Sequence, residues 1–437
     1  MTSKKMNAAI ATNRFGLGAT PVELKVAADD PVGHVVAQIV PIHLNKTNSS
    51  QSIALTLNRY RKDNSEESKD EARKFRQAIY KQLSIGTINN AISSTQPFMW
   101  RMLDFFSNHF SVTAQGAYLT ALSPTLEREA IAPNLLGNFS DMLLSVCRHP
   151  VMLVYLNNEK SFGKNSRLGK KGKGLNENLA REILELHTLG VNGGYTQSDV
   201  IALANGISGW GVEAPEKTKA GLFFFRKAGH EPGSQSLLGR LFAQENEEQG
   251  EAMLRYIAAR PATAKHISGK LVKHVVSDTP SPALLKHVEQ TWLDTEGDLK
   301  SIYHALVTHP HAWFDTLDKF KTPREFLIST CRGIGLTSLK EGFAIRSLAE
   351  MGQAPFKAGS PAGYEDSEDF WNSGYGLMAR ADWLSSLRIN RQFEIPELAS
   401  KLLGSTLSEH TRQLVSRAES RDRAFALLFL SPEFMRR

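Results

Sequence analysis

Between Asn176 and Leu189 three glutamates, Glu177, Glu182 and Glu185, are gathered around one arginine, Arg181. On a helix turning about 100° per residue they share with Asn178 an arc of roughly 140°. Leu179, Ala180, Ile183, Leu184 and Leu186 take the other side. Two readings are open. The charges form a ladder of surface ion pairs worth about 0.3 kcal/mol each, or they wall a polar site in which Arg181 keeps two carboxylates ionised. In the second reading Glu182 or Glu185 is a general base or an oxygen ligand for a divalent metal, with Glu177 and Asn178 touching substrate. Paired carboxylates also suit glycoside hydrolysis. His187 projects into the apolar side, so it does not complete a metal box with these acids.

Ahead of this helix six cations, Lys160, Lys164, Arg167, Lys170, Lys171 and Lys173, crowd into fourteen residues, although the whole chain carries only +7. Such a loop either attracts an anionic substrate, a polysaccharide or a phosphate, with Lys170 and Lys171 as contacts, or is simply solvated. It is not a phosphate loop, because the spacing is one residue too long and no Ser or Thr follows the lysine. Two histidines are candidates for proton transfer. His109 closes an aromatic segment (Phe98, Trp100, Phe105, Phe106, Phe110) as a general acid, a ligand or a packed core residue. His230 precedes Glu231 in a Gly/Pro-bounded loop. Trp210 ends GISGW and is a candidate substrate contact; it occupies the place of the second Gly of a nucleophile elbow, which removes support for serine hydrolase chemistry.

The elements that must position these residues are mostly helices. Gly190 and Asn192-Gly193-Gly194 end the acidic helix, and Thr196 with Asp199 opens the next. That helix has no Arg or Lys to read bases and the turn is long for a DNA-binding motif, so no nucleic-acid partner is expected. The spacing predicts two short helices within 7–40, a loose connection over 44–70, and helices at 70–95, 124–133 and 138–157, the last broken at His149-Pro150. Further helices are predicted at 247–259, 261–276, 281–293, 297–308, 322–335, 340–350, 373–389, 395–404 and 407–430. The long loop 352–371 between them is a candidate lid or binding segment. The fold class is therefore mainly α, a compact multi-helix array with at most a short β element near 221–240. Its 437 residues, 41% hydrophobic, are expected to form one unit over 1–437, with a sub-boundary near 241–260 as the alternative. Cys147 and Cys331 form no motif and are expected to be buried thiols. No apolar run reaches membrane-spanning length, and the N-terminus lacks a secretory apolar region, which points to the cytoplasm or to a mature form.

The string GLNENLAREILELHTLGVNGGYTQSDV followed by GISGW resembles the hallmark of the bacterial DUF1800 family. The likeness runs along the chain: NRFGLGATPVEL, FFSNHFSV, LGNFSDMLLSVCRHPVMLVYLNN, HEPGSQSLLG, RPATAKHISGKLVKHVVSDTP, FKTPREFLIS, MGQAPFKAGSPAGY and LSPEFMRR fall in the family's order. Asn157 and Gln235 depart from its pattern, where an acid and a lysine are common. The resemblance implies no established activity. It implies export for many members, and a neighbour of sulfatase-like (DUF1501-type) fold as partner. The sequence thus supports an enzyme with an acid/His polar site on the 176–189 helix, acting on an anionic or carbohydrate-type substrate with or without a divalent metal. The alternative is a non-catalytic binding or assembly partner of the sulfatase-like protein.

Overall fold

A computed structural model describes residues 4–45, 47–63, 65–214, 217, 219–387 and 394–437. Helix dominates at 62%, so the chain is mainly α as its apolar spacing requires. The longest helix, α1 (Glu66–Ser93), starts where Ser65 accepts a hydrogen bond from the Ser68 amide and two glutamates occupy the positive first turn. Next comes α2 (Pro97–His109), with Pro97 in the first turn. Most of its side chains are buried, and the partly exposed Asp104, Ser107 and Asn108 form one polar stripe along it.

The hallmark region forms α3 (Asn178–Glu182), which widens into a π-turn over Ile183–His187, and then α4 (Gln197–Gly206). The capping box at Thr196 and Asp199 is formed in both directions. Beyond it, β1 (Trp210–Val212) pairs antiparallel with β2 (Phe223–Phe225), and β3 (Gln235–Leu237) with β4 (Arg240–Phe242). The β element expected near 221–240 is thus two small ribbons reaching from 210 to 242. Three later helices matter to the site or its flank: α5 (Pro261–Val275), α6 (Pro323–Gly333) and α7 (Gly374–Ser386).

Three expectations need correction. The polar stretch 44–70 holds a helix, Ser50–Asp63, because Ile53 is buried in the core, Leu57 packs against it and Ala54 is buried beside Gly221. The helix expected over 407–430 is two, Glu409–Ser416 and Arg421–Phe429, because Ser420 caps a new start by accepting from the Arg423 amide. The acidic helix is not regular α to Leu189; its last turn is π. The final residues expected in the 373–389 helix lie outside the described residues.

The buried apolar side chains form one connected cluster from Ala8 to Met435, and both cysteines lie in it as free thiols. Asn157, where the family pattern has an acid, sits in the left-handed region at φ 57° after the helix Pro150–Tyr155, a conformation that Asn tolerates. No helix among the described residues is long and apolar enough to cross a membrane.

Candidate functional site

The acidic helix presents its charges as a hydrogen-bonded surface. Arg181 pairs with Glu177 at 3.1 Å and donates to Gln197 Oε1 at 2.9 Å, and Gln197 Nε2 donates back to Glu177 at 2.7 Å. Glu185 accepts from the Tyr195 hydroxyl at 3.4 Å, and Glu182 is half-buried. Burial, then the neighbouring Glu185, raise the Glu182 pKa above the ordinary carboxylate value. Asn178, Lys170 and Lys171 are exposed, the two lysines in a short 3-10 turn. The base of their loop is fixed by buried Glu231, which accepts from the Asn165 amide and side chain. His230 bonds through Nδ1 to the Ser208 carbonyl at 3.0 Å and packs on Phe225. Trp210 has no exposed surface; the Arg148 guanidinium and the Phe223 ring cover its indole. As placed, Trp210 is a packing residue and cannot touch a substrate.

Another set of polar groups converges where α2, α5 and the loop 352–371 meet. The helix end after the π-turn leaves carbonyls without intrahelical partners. His266 Nε2 reaches the Leu186 carbonyl at 3.3 Å and His109 Nε2 the His187 carbonyl at 3.2 Å. The His266 ring comes this close because Gly190, at φ +85°, has no Cβ; one placed there would lie 2.8 Å from Nδ1. A carbonyl only accepts, so Nε2 of His109 carries the proton and Nδ1 is left as an acceptor. Lys270 Nζ donates to it at 3.1 Å. Burial, followed by the charge of Lys270, holds the His109 pKa well below its ordinary value, so its imidazole is neutral. Burial also lowers the Lys270 pKa. Among the described residues Lys270 forms no ion pair; its hydrogen-bond partner is the neutral imidazole.

The loop 352–371 is fastened to α2 by Asn108, which acts like a short stretch of backbone. Its Nδ2 donates to the Tyr364 carbonyl and its Oδ1 accepts from the Tyr364 amide, both at 2.8 Å. The Asn-His motif and the long loop are thus two sides of one structure. This tether brings Asp366 to His274: Oδ2 accepts from Nδ1 at 2.8 Å, while Lys319 pairs with the other carboxylate oxygen at 3.3 Å. Asp366 is pushed down to about 2, against burial, chiefly by His274 and then Lys319. His274 Nε2 is buried and without a hydrogen-bond partner among the described residues.

Lys270, Lys273, His109, His274 and Asp366 line one cavity of about 340 Å³. A smaller space of about 70 Å³ adjoins it beside His274, Asp104 and Arg324, the last two paired at 2.8 Å. Behind the wall Glu325, capped into the start of α6 by Thr322, is buried between Arg101 and Arg437.

Of the candidate site residues named in the sequence, only His109 lines this cavity, to which Phe105 and the loop 352–371 also contribute. Lys270, Lys273 and His274 were missed, although HISGKLVKH spells them: His266, Lys270, Lys273 and His274 recur at helical spacing and share one face. For Asp366 there was no such signal, since it lies in an irregular loop. Among the described residues no three His, Cys, Asp or Glu side chains are placed to hold a metal. The wall carries Lys270, Lys273 and two imidazoles together with the carboxylates of Asp278, Glu365 and Asp366, of which Asp278 and Asp366 are paired with Lys319.

Fold and site together define a mainly α-helical protein with a half-buried Lys/His/Asp cleft. The chain belongs to the family described as Protein of unknown function (DUF1800), whose model matches residues 10–436. No curated protein and no solved structure matches it.

Proposed function

We propose that the protein is an enzyme that binds a small anionic substrate in the cleft between α2, α5 and the loop 352–371, and moves a proton there. The observation that carries this reading is His274: Asp366 holds its Nδ1, which frees the buried Nε2 on a wall shared with Lys270 and Lys273. A carboxylate behind an imidazole fixes its tautomer and stabilises the imidazolium, the arrangement of a general base. Lys273 supplies the charge that holds the anion beside Lys270, and Tyr364 and Asn108 keep the loop closed on it. His109 is a positioning residue for Lys270. Arg181, Glu182, Glu185 and His230 shape the hallmark region and the surface around it, outside proton transfer. Since the walls come from three distant segments, the cleft requires the chain to act as one unit.

A thermal-shift screen of small carboxylates and phosphates tests this. Ligand at a hundred times its Kd stabilises by about 2.7 kcal/mol, about 3 °C for a chain of this length. The shift is expected to vanish in Lys273→Glu and to persist in Lys170→Glu/Lys171→Glu. The reverse pattern, or no shift with any anion, would refute the reading.

One observation favours a second reading, a non-catalytic partner of the sulfatase-like protein. Phe370 at the end of the cleft loop, and Tyr375 and Met378 at the start of α7, are exposed by 54%, 75% and 63%. Co-elution of the two proteins, abolished by Tyr375→Glu/Met378→Glu, would establish it; separate elution would remove it.

A further inference from the structure

The setting of Lys270 goes beyond charge. Lysines that only hold anions or support a fold are usually exposed or paired with carboxylates, which keep them protonated. Lys270 instead comes from the middle of α5, is half-buried, and is held at 3.1 Å by an imidazole nitrogen that cannot carry a proton while Nε2 donates to the His187 carbonyl. A neutral acceptor orients an amine without adding the negative charge that would favour the ammonium. His187, one π-turn away, is fully buried and brings no negative charge either. Burial lowers the Lys270 pKa further, against the more distant charges of Asp366 and Glu365. Four residues on, and therefore on the same helix face, His274 lines the same cavity, with its Nε2 buried and unpartnered among the described residues.

We propose that Lys270 is the covalent residue of the cleft and forms an imine with a carbonyl group on its anionic substrate. This rests on the anion-binding reading above and names the substrate class as a 2-oxo acid or an anionic aldehyde. The neutral amine attacks the carbonyl carbon; a C–N bond forms as the C=O π bond opens, and a proton passes from nitrogen to oxygen. The carbinolamine then loses its oxygen as water, giving C=N. Carbonyl and amine become imine and water, with no change of oxidation state. Once protonated, the imine draws electrons from the adjacent carbon, and His274 Nε2 takes the proton released there. Lys273 faces the substrate's carboxylate.

The test uses the full chain with glyoxylate, a small anionic aldehyde, and cyanoborohydride at neutral pH, followed by peptide mapping. Lys270 is expected to be trapped at least about tenfold faster than exposed Lys170 and Lys171, because a lowered pKa leaves more free amine. Lys270→Arg keeps the charge and should lose the fast-trapped site while glyoxylate still raises its Tm. Trapping of Lys270 no faster than of Lys170 and Lys171, with the Tm shift intact, would overturn the imine and leave the anion site standing. Absence of both would overturn the two together. His109→Gln provides an independent check: an amine released from its acceptor should be trapped more slowly in a protein whose unfolding stays cooperative, and an unchanged rate would contradict the positioning role of His109.

Discussion

Replacing Asp366 with asparagine separates the two tasks of this carboxylate, which orients His274 and neutralises Lys319. The amide oxygen still accepts from His274 Nδ1, but buried Lys319 loses one of its two carboxylate partners and keeps Asp278 at 2.5 Å. Asp366 titrates at about 2 instead of 3.8 in the folded protein. That depression corresponds to about 2 kcal/mol of stability at pH 7. With an unfolding entropy of about 2 cal/mol/K per residue, the expected fall in Tm is about 2–3 °C. The sign follows from the direction of the shift. A depressed carboxylate stabilises the fold above its unfolded pKa and loses that contribution as pH falls through the folded one. The gap between wild type and Asp366→Asn should therefore be full at pH 7, about half as large at pH 3, and closed below pH 2. Thermal unfolding of both proteins at pH 7 and pH 3 measures it. An equal gap at the two pH values, or none at pH 7, would mean that Asp366 is not held as an ionised partner of His274 and Lys319, and the account of His274 as an oriented base would lose its footing.

Other perturbations test the surroundings of the cleft. Glu325→Gln leaves Arg101 and Arg437 buried without their carboxylate and should cost about 3–5 kcal/mol, read as a lower midpoint in urea. Lys321 is fully buried, lies over the Phe434 ring and has its pKa lowered to about 7 by burial. Lys321→Met should therefore stabilise the protein at pH 6 by about 1–4 kcal/mol. The gain should shrink by pH 9, because between pH 7 and the ordinary lysine value the unfolded chain binds more protons and wild type becomes more stable as pH rises. Gly363→Ala forces a Cβ at φ +84° to within 2.4 Å of the Asn108 carbonyl oxygen. It should cost about 1–3 kcal/mol and weaken anion-induced stabilisation by loosening the loop from α2. Equal anion response in this variant would show that the tether does not serve the site.

Helices were legible wherever a cap and a periodic apolar face coincided, as at Thr196 with Asp199 and over 261–276. They were missed where the signal was weak, as at Ser50–Asp63, whose polar composition hides the buried pair Ile53 and Ala54. The π-turn at Ile183–His187 could not be read, because the extra residue in the turn is fixed by the partners that His109 and His266 give to its carbonyls. The hallmark helix gathers three glutamates around one arginine, but Glu177 and Glu185 are satisfied by Arg181, Gln197 and Tyr195 at the surface. The cleft depends on residues separated by 92 to 256 positions. Asn108 with Tyr364, and His274 with Asp366, meet only through tertiary packing, and neither pairing leaves a trace in local spacing.

Hydrogen exchange read by mass spectrometry, with and without the anion that stabilises the protein most, tests the central claim most directly. The account predicts added protection in the segments 105–109, 266–274 and 362–367, which line the cleft, with none in the basic loop 164–173. Protection confined to the basic loop or to the face of Glu177, Glu182 and Glu185 would contradict it, and would return the site to the helix that the sequence alone favours.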